Sequence, residues 1–381
     1  MYQTLLRRRL TLRKTLLPSI IVSLSVVLTS TQLLAMDVWK TISTEDAGFS
    51  WDVGERLDSA FENGELENLH SVIVVRNSKL VFERYYEGVD SHWGTPLGNV
   101  TFTSESLHDL RSISKSIVSL LYGIALVEGK VPKLDTPLVD AFPEYDDLVS
   151  DPDRRRITVE HALTMTMGLE WNEELPYTDP RNSEIAMEHA EDRYWYVLSR
   201  PITAEPGTTW NYTGGATAVL GHLISRGVGK SLLDYANEKL FHPLSITDIQ
   251  WTKGLNGEES AASGLRMRPR DLAKIGQLLL NQGRWGNVQL IPPEWLTSSF
   301  VGRVLVYGKT QYGYHWYLPR NHKWSNGQVG AAGNGSQRLV IFPDYQLVLV
   351  ITAGNYNLPD QTQSALPRKI IRKLVLPALA N

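Results

Sequence analysis

Ser71-Val-Ile-Val-Val-Arg-Asn-Ser-Lys-Leu-Val-Phe-Glu-Arg-Tyr-Tyr86 carries two β-branched and aromatic runs on either side of Asn77-Ser78. Two such runs parted by a pair of turn-forming residues predict a β-hairpin. Downstream the period changes. Ile113, Ile117, Val118, Leu120, Leu121, Ile124 and Ala125 recur at helical spacing, and Gly129 offers a C-terminal stop. Helical patterns continue over 159–166, 188–198, 216–226, 231–240 and 269–281. Strand-like runs return at 313–318, 338–342 and 347–352, with Pro343-Asp344 turning between the last two, and 368–376 reads as a closing helix. The order strands, helices, strands predicts an α+β fold. Its antiparallel sheet is built from both chain ends, 71–86 and 313–352, and is flanked by helices. A mostly helical insertion spans 112–281. A cleft between sheet and insertion is where a ligand would sit.

The chain has 381 residues, 42% hydrophobic and 21% charged. That is too apolar for a disordered protein and too mixed for a polytopic membrane protein. Its formal charge of −3 provides no basic face, so no nucleic-acid partner is expected. The absence of cysteine rules out disulfides, thiolate catalysis and Cys-ligated zinc together. Arg7, Arg8, Arg9, Arg13 and Lys14 precede an apolar stretch from Leu16 to Leu34 that ends in Leu-Leu-Ala at 33–35. Basic start, apolar middle and small final residue read as a secretory signal peptide over 1–35, leaving 36–381 as the exported, periplasmic or secreted protein. The rival reading is an anchor that keeps 16–34 in a membrane; only then would a membrane be a partner.

Ser112-Ile113-Ser114-Lys115 is an S-x-x-K, a spacing that chance supplies about once in a chain of this composition. Its place at the start of an apolar helix puts residues 112 and 115 on one face, where a lysine amine can accept the serine's proton. Asn211-Tyr212-Thr213-Gly214-Gly215 forms a loop that can point Tyr212 into a cleft, and an adjacent lysine would favour its phenolate. Gly330-Ala-Ala-Gly-Asn-Gly-Ser-Gln337 runs into a strand, where a backbone N–H can serve a developing oxyanion. Other motifs fail. Gly227–Ser231 lacks the first glycine of a phosphate loop, and no G-x-S-x-G elbow occurs. His70, His92, His108, His161 and His189 show no ligand spacing, so no metal or cofactor is expected.

Taken in order, Arg111–Ile117, Ile157–Leu169, Pro206–Tyr212, Ala262–Met267 and Gly333–Gln337 resemble the penicillin-recognising serine hydrolase superfamily. This is the group similar to class C β-lactamases, which includes serine esterases, D-peptidases and 6-aminohexanoate-dimer hydrolases. The resemblance implies a β-lactamase-like fold, Ser112 as nucleophile, Lys115 as its proton acceptor and Tyr212 as shared base and acid. It also implies an oxyanion hole from the Ser112 N–H and that of Ser336 or Gln337. Gly335, Asn334 and Trp316 would line the substrate site. Two departures stand out. The family's Y-x-N reads Tyr212-Thr213-Gly214, and Gly333–Gln337 has no lysine where the family has Lys-Thr-Gly. The implied activity is therefore an acyl-enzyme hydrolase of small esters or linear amides. The alternatives are a D-peptidase or β-lactamase, and a penicillin-binding or sensing module without turnover.

Overall fold

The computed structural model describes residues 39–319 and 327–379. The leader expected over 1–35 lies outside them. Helix α1 (Val53–Glu62) precedes the hairpin of β1 (Leu69–Arg76) and β2 (Lys79–Tyr85). Asn77 and Ser78 have φ of 50° and 61°, as a tight two-residue hairpin turn requires, and Arg76 stands opposite Lys79. A second hairpin follows, β3 (Glu87–His92) with β4 (Thr95–Thr101). No periodicity announces it, because β4 is exposed almost throughout.

Strand β5 (His108–Asp109) leads into α2 (Ile113–Val127), and the helical insertion continues with α3 (Asp146–Val149) and α4 (Val159–Thr164). The helix expected over 188–198 is two, α5 (Ser183–Glu188) and α6 (Arg193–Leu198). Asp192 divides them, its carboxylate accepting the N–H groups of Tyr194 and Trp195 at 3.0 Å each and so starting a new helix. Then come α7 (Gly214–Val228) and α8 (Leu232–Ala236). The insertion is less purely helical than its pattern suggests, since β6 (Ile249–Trp251) and β7 (Leu265–Met267) join β5 in a small sheet ordered β5-β7-β6. Helix α9 (Pro269–Leu280), a short ladder of β8 (Arg284–Trp285) and β9 (Val288–Gln289), and α10 (Pro293–Ser299) lead back to the main sheet.

That sheet is completed by β10 (Val304–Tyr307), β11 (Thr310–Tyr312), β12 (Tyr317–Pro319), β13 (Val329–Gly333), β14 (Gln337–Phe342) and β15 (Leu347–Ala353), with α11 (Asp360–Lys369) following. Of the strand expected over 313–318, residues 313–316 form a turn between β11 and β12, and 317–318 lie in β12. His315 sits there at φ 61° and donates its N–H to the Gly313 carbonyl at 3.0 Å. Strand order is β10-β11-β12-β13-β14-β15-β1-β2, antiparallel throughout. Both chain ends thus build it, as Ile73 opposite Val350 illustrates.

Both faces of this sheet are covered. Ile73, Val75, Leu339, Val348 and Val350 enter one core with α2 and α9. Val72, Val74, Val340, Leu349 and Ile351 enter a second with Val53 and Leu57 of α1 and Leu366 of α11. A strand buried on two sides needs apolar residues at every position, which is why β1 reads as a continuous run and not as an alternation. Burying each such side chain contributes about 1.5–3 kcal/mol. Helix α2 packs on α7 and against β13 and β14, so its N-terminus meets the end of the sheet. Among the described residues no helix is long and apolar enough to cross a membrane.

Candidate active site

Ser112 stands at the entrance of α2. Arg111 before it is left-handed at φ 50°, and the N–H groups of Ser114 and Lys115 return to the carbonyls of Arg111 and Ser112 at 2.9 and 3.1 Å. This sharp entry leaves Ser112 just within reach of solvent, 9% exposed, ahead of a helix that is otherwise nearly all buried. The Ser112 N–H belongs to the first helical turn and has no acceptor inside the helix.

One turn along, Lys115 is 1% exposed. Its Nζ lies 3.1 Å from Ser112 Oγ, 3.0 Å from the Ala262 carbonyl and 3.5 Å from Glu184 Oε2. The Tyr212 ring centroid is 5.0 Å from the same nitrogen, and the Ser112 hydroxyl is near enough to the phenol to draw its pKa down against the effect of burial. Four remote stretches therefore meet: the start of α2, the loop before α7, the head of α5 and the segment before β7. Asn211 aims the tyrosine by donating its side-chain amide to the carbonyls of Leu169 and Trp171, each at 3.3 Å.

Two carboxylates not anticipated from the sequence complete this centre. Glu184 accepts from Ser263 Oγ at 2.5 Å besides facing Lys115. Glu173 accepts from the Trp171 indole at 2.5 Å, from the Tyr177 hydroxyl at 2.9 Å and from the Gly214 N–H. Burial, and then the charge of Glu184, push the Glu173 carboxyl up to about 8, so it is mostly protonated at neutral pH. Burial first, with Glu173 and Glu184 adding to it, raises Tyr212 well above its ordinary value. The expectation that Lys115 would favour a phenolate is thus overturned: Tyr212 is held as a phenol. Both carboxylates crowd the place where a Cβ on Gly214 would stand, the position at which the Y-x-N pattern carries asparagine.

Aromatic rings wall this centre. Trp210 lies 5.8 Å from Tyr212 and 5.7 Å from Tyr312, and Tyr312 meets Tyr317 edge-on at 5.0 Å. His315 is fully buried with Nε2 3.1 Å from Thr217 Oγ1. Burial and, secondarily, Lys115 bring its imidazole down to about 3, which keeps it neutral. Only a folded chain brings these tyrosines and the histidine to the site; nothing in their spacing marks them.

The glycine-rich stretch is placed differently from the expectation. Ser336 and Gln337 are fully buried. The Gln337 side chain bridges to the carbonyl and N–H of Ala353 at 2.6 and 3.1 Å, stitching β14 to β15. Asn334 pairs with Asn357, and the Gly335 N–H donates to Gln363 Oε1 at 2.7 Å. These contacts hold the turn. The residue that abuts the nucleophile's entry is Gly333, where a Cβ would meet the Leu110 carbonyl and come 3.2 Å from Arg111 Cβ. Trp316 is also corrected: it is 0% exposed and packs edge-on against Phe300 in the core.

The beta-lactamase family model matches residues 70–369. A 6-aminohexanoate-dimer hydrolase of Paenarthrobacter ureafaciens is 23% identical over 301 residues, covering 73% of this chain and 70% of that protein. Esterase EstB of Burkholderia gladioli is 25% identical over 221 residues, 54% of each chain; the match thus spans about half the esterase's length. Among solved structures, a proposed 6-aminohexanoate-dimer hydrolase from Bacillus anthracis superposes with a TM-score of 0.70 at 19% identity, over 88% of this chain and 86% of that one. At that identity the likeness concerns the fold.

Proposed function

This chain belongs to the beta-lactamase family, and from that premise we propose that it is a serine hydrolase acting through an acyl-enzyme on small esters or linear amides. The observation that carries the reading is the placing of the Lys115 amine 3.1 Å from Ser112 Oγ and 5.0 Å from the Tyr212 ring centroid. The names of the hydrolase and esterase relatives support the same substrate classes.

In the proposed reaction Ser112 Oγ attacks the substrate carbonyl carbon while its proton passes to the Lys115–Tyr212 pair, whose accepting member is Lys115 in its uncharged amine form. The Ser112 N–H and a backbone N–H from the Gly333–Asn334 edge hold the oxyanion; one such donor is typically worth ~10²–10³-fold in rate. Tyr212, kept as a phenol, donates its proton to the departing alkoxide or amine as the carbon–leaving-group bond breaks, and regains one through Lys115. Water then attacks the ester on Ser112, giving up its proton to the same pair, and the serine leaves with a proton restored. The strand beside the nucleophile carries Ala331-Ala332-Gly333 and no lysine for a β-lactam carboxylate, which favours esters and amides over β-lactams. Export through the leader at 1–35 belongs to the same proposal and rests on its sequence.

A fluorophosphonate probe on the purified protein, with mass spectrometry of the adduct, tests the nucleophile. Labelling at Ser112, with ester turnover outrunning nitrocefin turnover, is the expected result. A Ser112→Ala protein that keeps full ester turnover would falsify it.

A further inference from the structure

Behind the nucleophile's entry lies a cluster with no part in the chemistry above. His70 on β1, Asp90 on β3 and His108 on β5 are 0%, 3% and 0% exposed. His70 Nδ1 is 2.8 Å from His108 Nε2, and Asp90 Oδ1 is 3.9 Å from the latter. The three ligand-capable atoms all lie within 4.8 Å of one another.

The surroundings determine which ring nitrogens carry hydrogen. His108 Nδ1 faces the Asp109 carbonyl at 3.0 Å, a group that can only accept, so Nδ1 bears the proton and Nε2 a lone pair. His70 Nε2 faces Asn68 Oδ1 at 3.3 Å. The orientation of that amide is set by Val89, whose N–H donates to Oδ1 at 2.8 Å while its carbonyl accepts from Nδ2 at 3.0 Å. His70 Nε2 is therefore protonated too, and its Nδ1 bears a lone pair. Two lone pairs then point at each other across 2.8 Å beside a buried carboxylate. That is repulsive unless something positive lies between them.

We propose that His70, His108 and Asp90 bind a divalent transition-metal ion of the Zn²⁺ class, with a water in the fourth position, tying β1, β3 and β5 together. Bonds of about 2.0–2.1 Å at a tetrahedral ion separate ligand atoms by roughly 3.3 Å. The present 2.8 and 3.9 Å lie on either side of that value, and with all three atoms within 4.8 Å of one another, modest side-chain shifts would close them around an ion. Each histidine already donates its other N–H to an oxygen, and the Tyr356 hydroxyl donates to Asp90 Oδ1 at 3.0 Å, the outer-shell support that metal-ligating groups ordinarily have. The His70 ring is seated against Phe102, centroids 4.1 Å apart, and against Gly88 and Gly354, where any Cβ would strike it. Ligands 20 and 18 positions apart on three strands leave no sequence signature.

The test uses the full chain purified in zinc-supplemented medium and dialysed without chelator. Elemental analysis is expected to find about one zinc per chain. Co²⁺ exchanged into chelator-stripped protein should give a visible tetrahedral band, and stripping should lower the melting temperature until Zn²⁺ is restored. His70→Asn and Asp90→Asn should each lose most of the bound metal. The proposal does not depend on the hydrolase reading, since metal content is measured without any substrate. Zinc below about a tenth of an equivalent in folded protein, with melting indifferent to Zn²⁺ and to chelator, would show that the two rings share a proton and overturn it. So would metal content unchanged in both variants, which would place the ion elsewhere. If the variants fail to fold, zinc content and the Co²⁺ spectrum of the unmodified protein decide alone.

Discussion

Lys115 Nζ and Glu184 Oε2 face each other at 3.5 Å with side chains only 1% and 4% exposed. A buried pair of this kind is weak evidence for net stability, yet removing one partner strands the other's charge, at a cost of about 3–5 kcal/mol. Glu184→Gln keeps the side-chain shape and an oxygen for Ser263. Urea unfolding of this variant is expected to show a loss approaching that range. A change under about 0.5 kcal/mol would mean that the ammonium is satisfied by the Ala262 carbonyl alone.

Gly214 leaves the room that Glu184 occupies. Putting asparagine there, as the Y-x-N pattern would have it, drives a side chain into two carboxylates, and overpacking of this kind costs about 1–3 kcal/mol. Shortening the opposing residue by Glu184→Ala should recover part of that loss. In a double-mutant cycle of Gly214→Asn with Glu184→Ala the coupling should exceed about 1 kcal/mol; strict additivity would show that the two side chains do not compete for space.

Lys115 and Tyr212 are expected to act as one proton-moving unit. Lys115→Ala and Tyr212→Phe should each lower kcat for p-nitrophenyl acetate by about 10²–10⁴-fold with little change in KM. The double variant should be hardly worse than the poorer single one, because groups that act together are not additive. Multiplicative losses would assign them to separate steps.

Glu173 predicts a pH dependence of stability. Its carboxyl is raised from the ordinary 4.5 to about 8 by burial and by Glu184, so between those values the folded chain holds a proton that the unfolded chain has released. This contribution is fully present below about 4.5 and is lost as pH rises through about 8. Glu173→Gln should flatten that part of the profile in chemical denaturation at pH 5, 7 and 9. A slope identical to that of the unmodified protein would assign it to other groups.

How far the sequence discloses all this depends on the range of the contacts involved. The hairpin at Asn77-Ser78 and helix α2 are local, set by turn chemistry and a 3.6-residue period, and both appear where their patterns place them. The sheet's joining of both chain ends follows from element order. Ser112, Lys115 and Tyr212 carry motif spacing and are brought together by the fold. Glu173 and Glu184 carry none: they are two glutamates among many until α5 and its preceding loop turn them inward. Ser336 and Gln337 mislead for a related reason. A glycine-rich stretch announces close approach, but not which of its residues makes it, and that residue is Gly333. Trp316 fails as a site residue because an aromatic in a strand region is equally suited to a core.

The pairing of β1 with β15 has a consequence for how the molecule comes into being. As the ribosome releases the chain at roughly 5–20 residues per second, β1 emerges early and waits on the order of tens of seconds for the neighbour that will cover its edge. During that interval its unbroken apolar run is an aggregation hazard that a chaperone could shield. A premature stop before residue 347 would leave that edge bare for good, with Ser112 already made but its scaffold never closed.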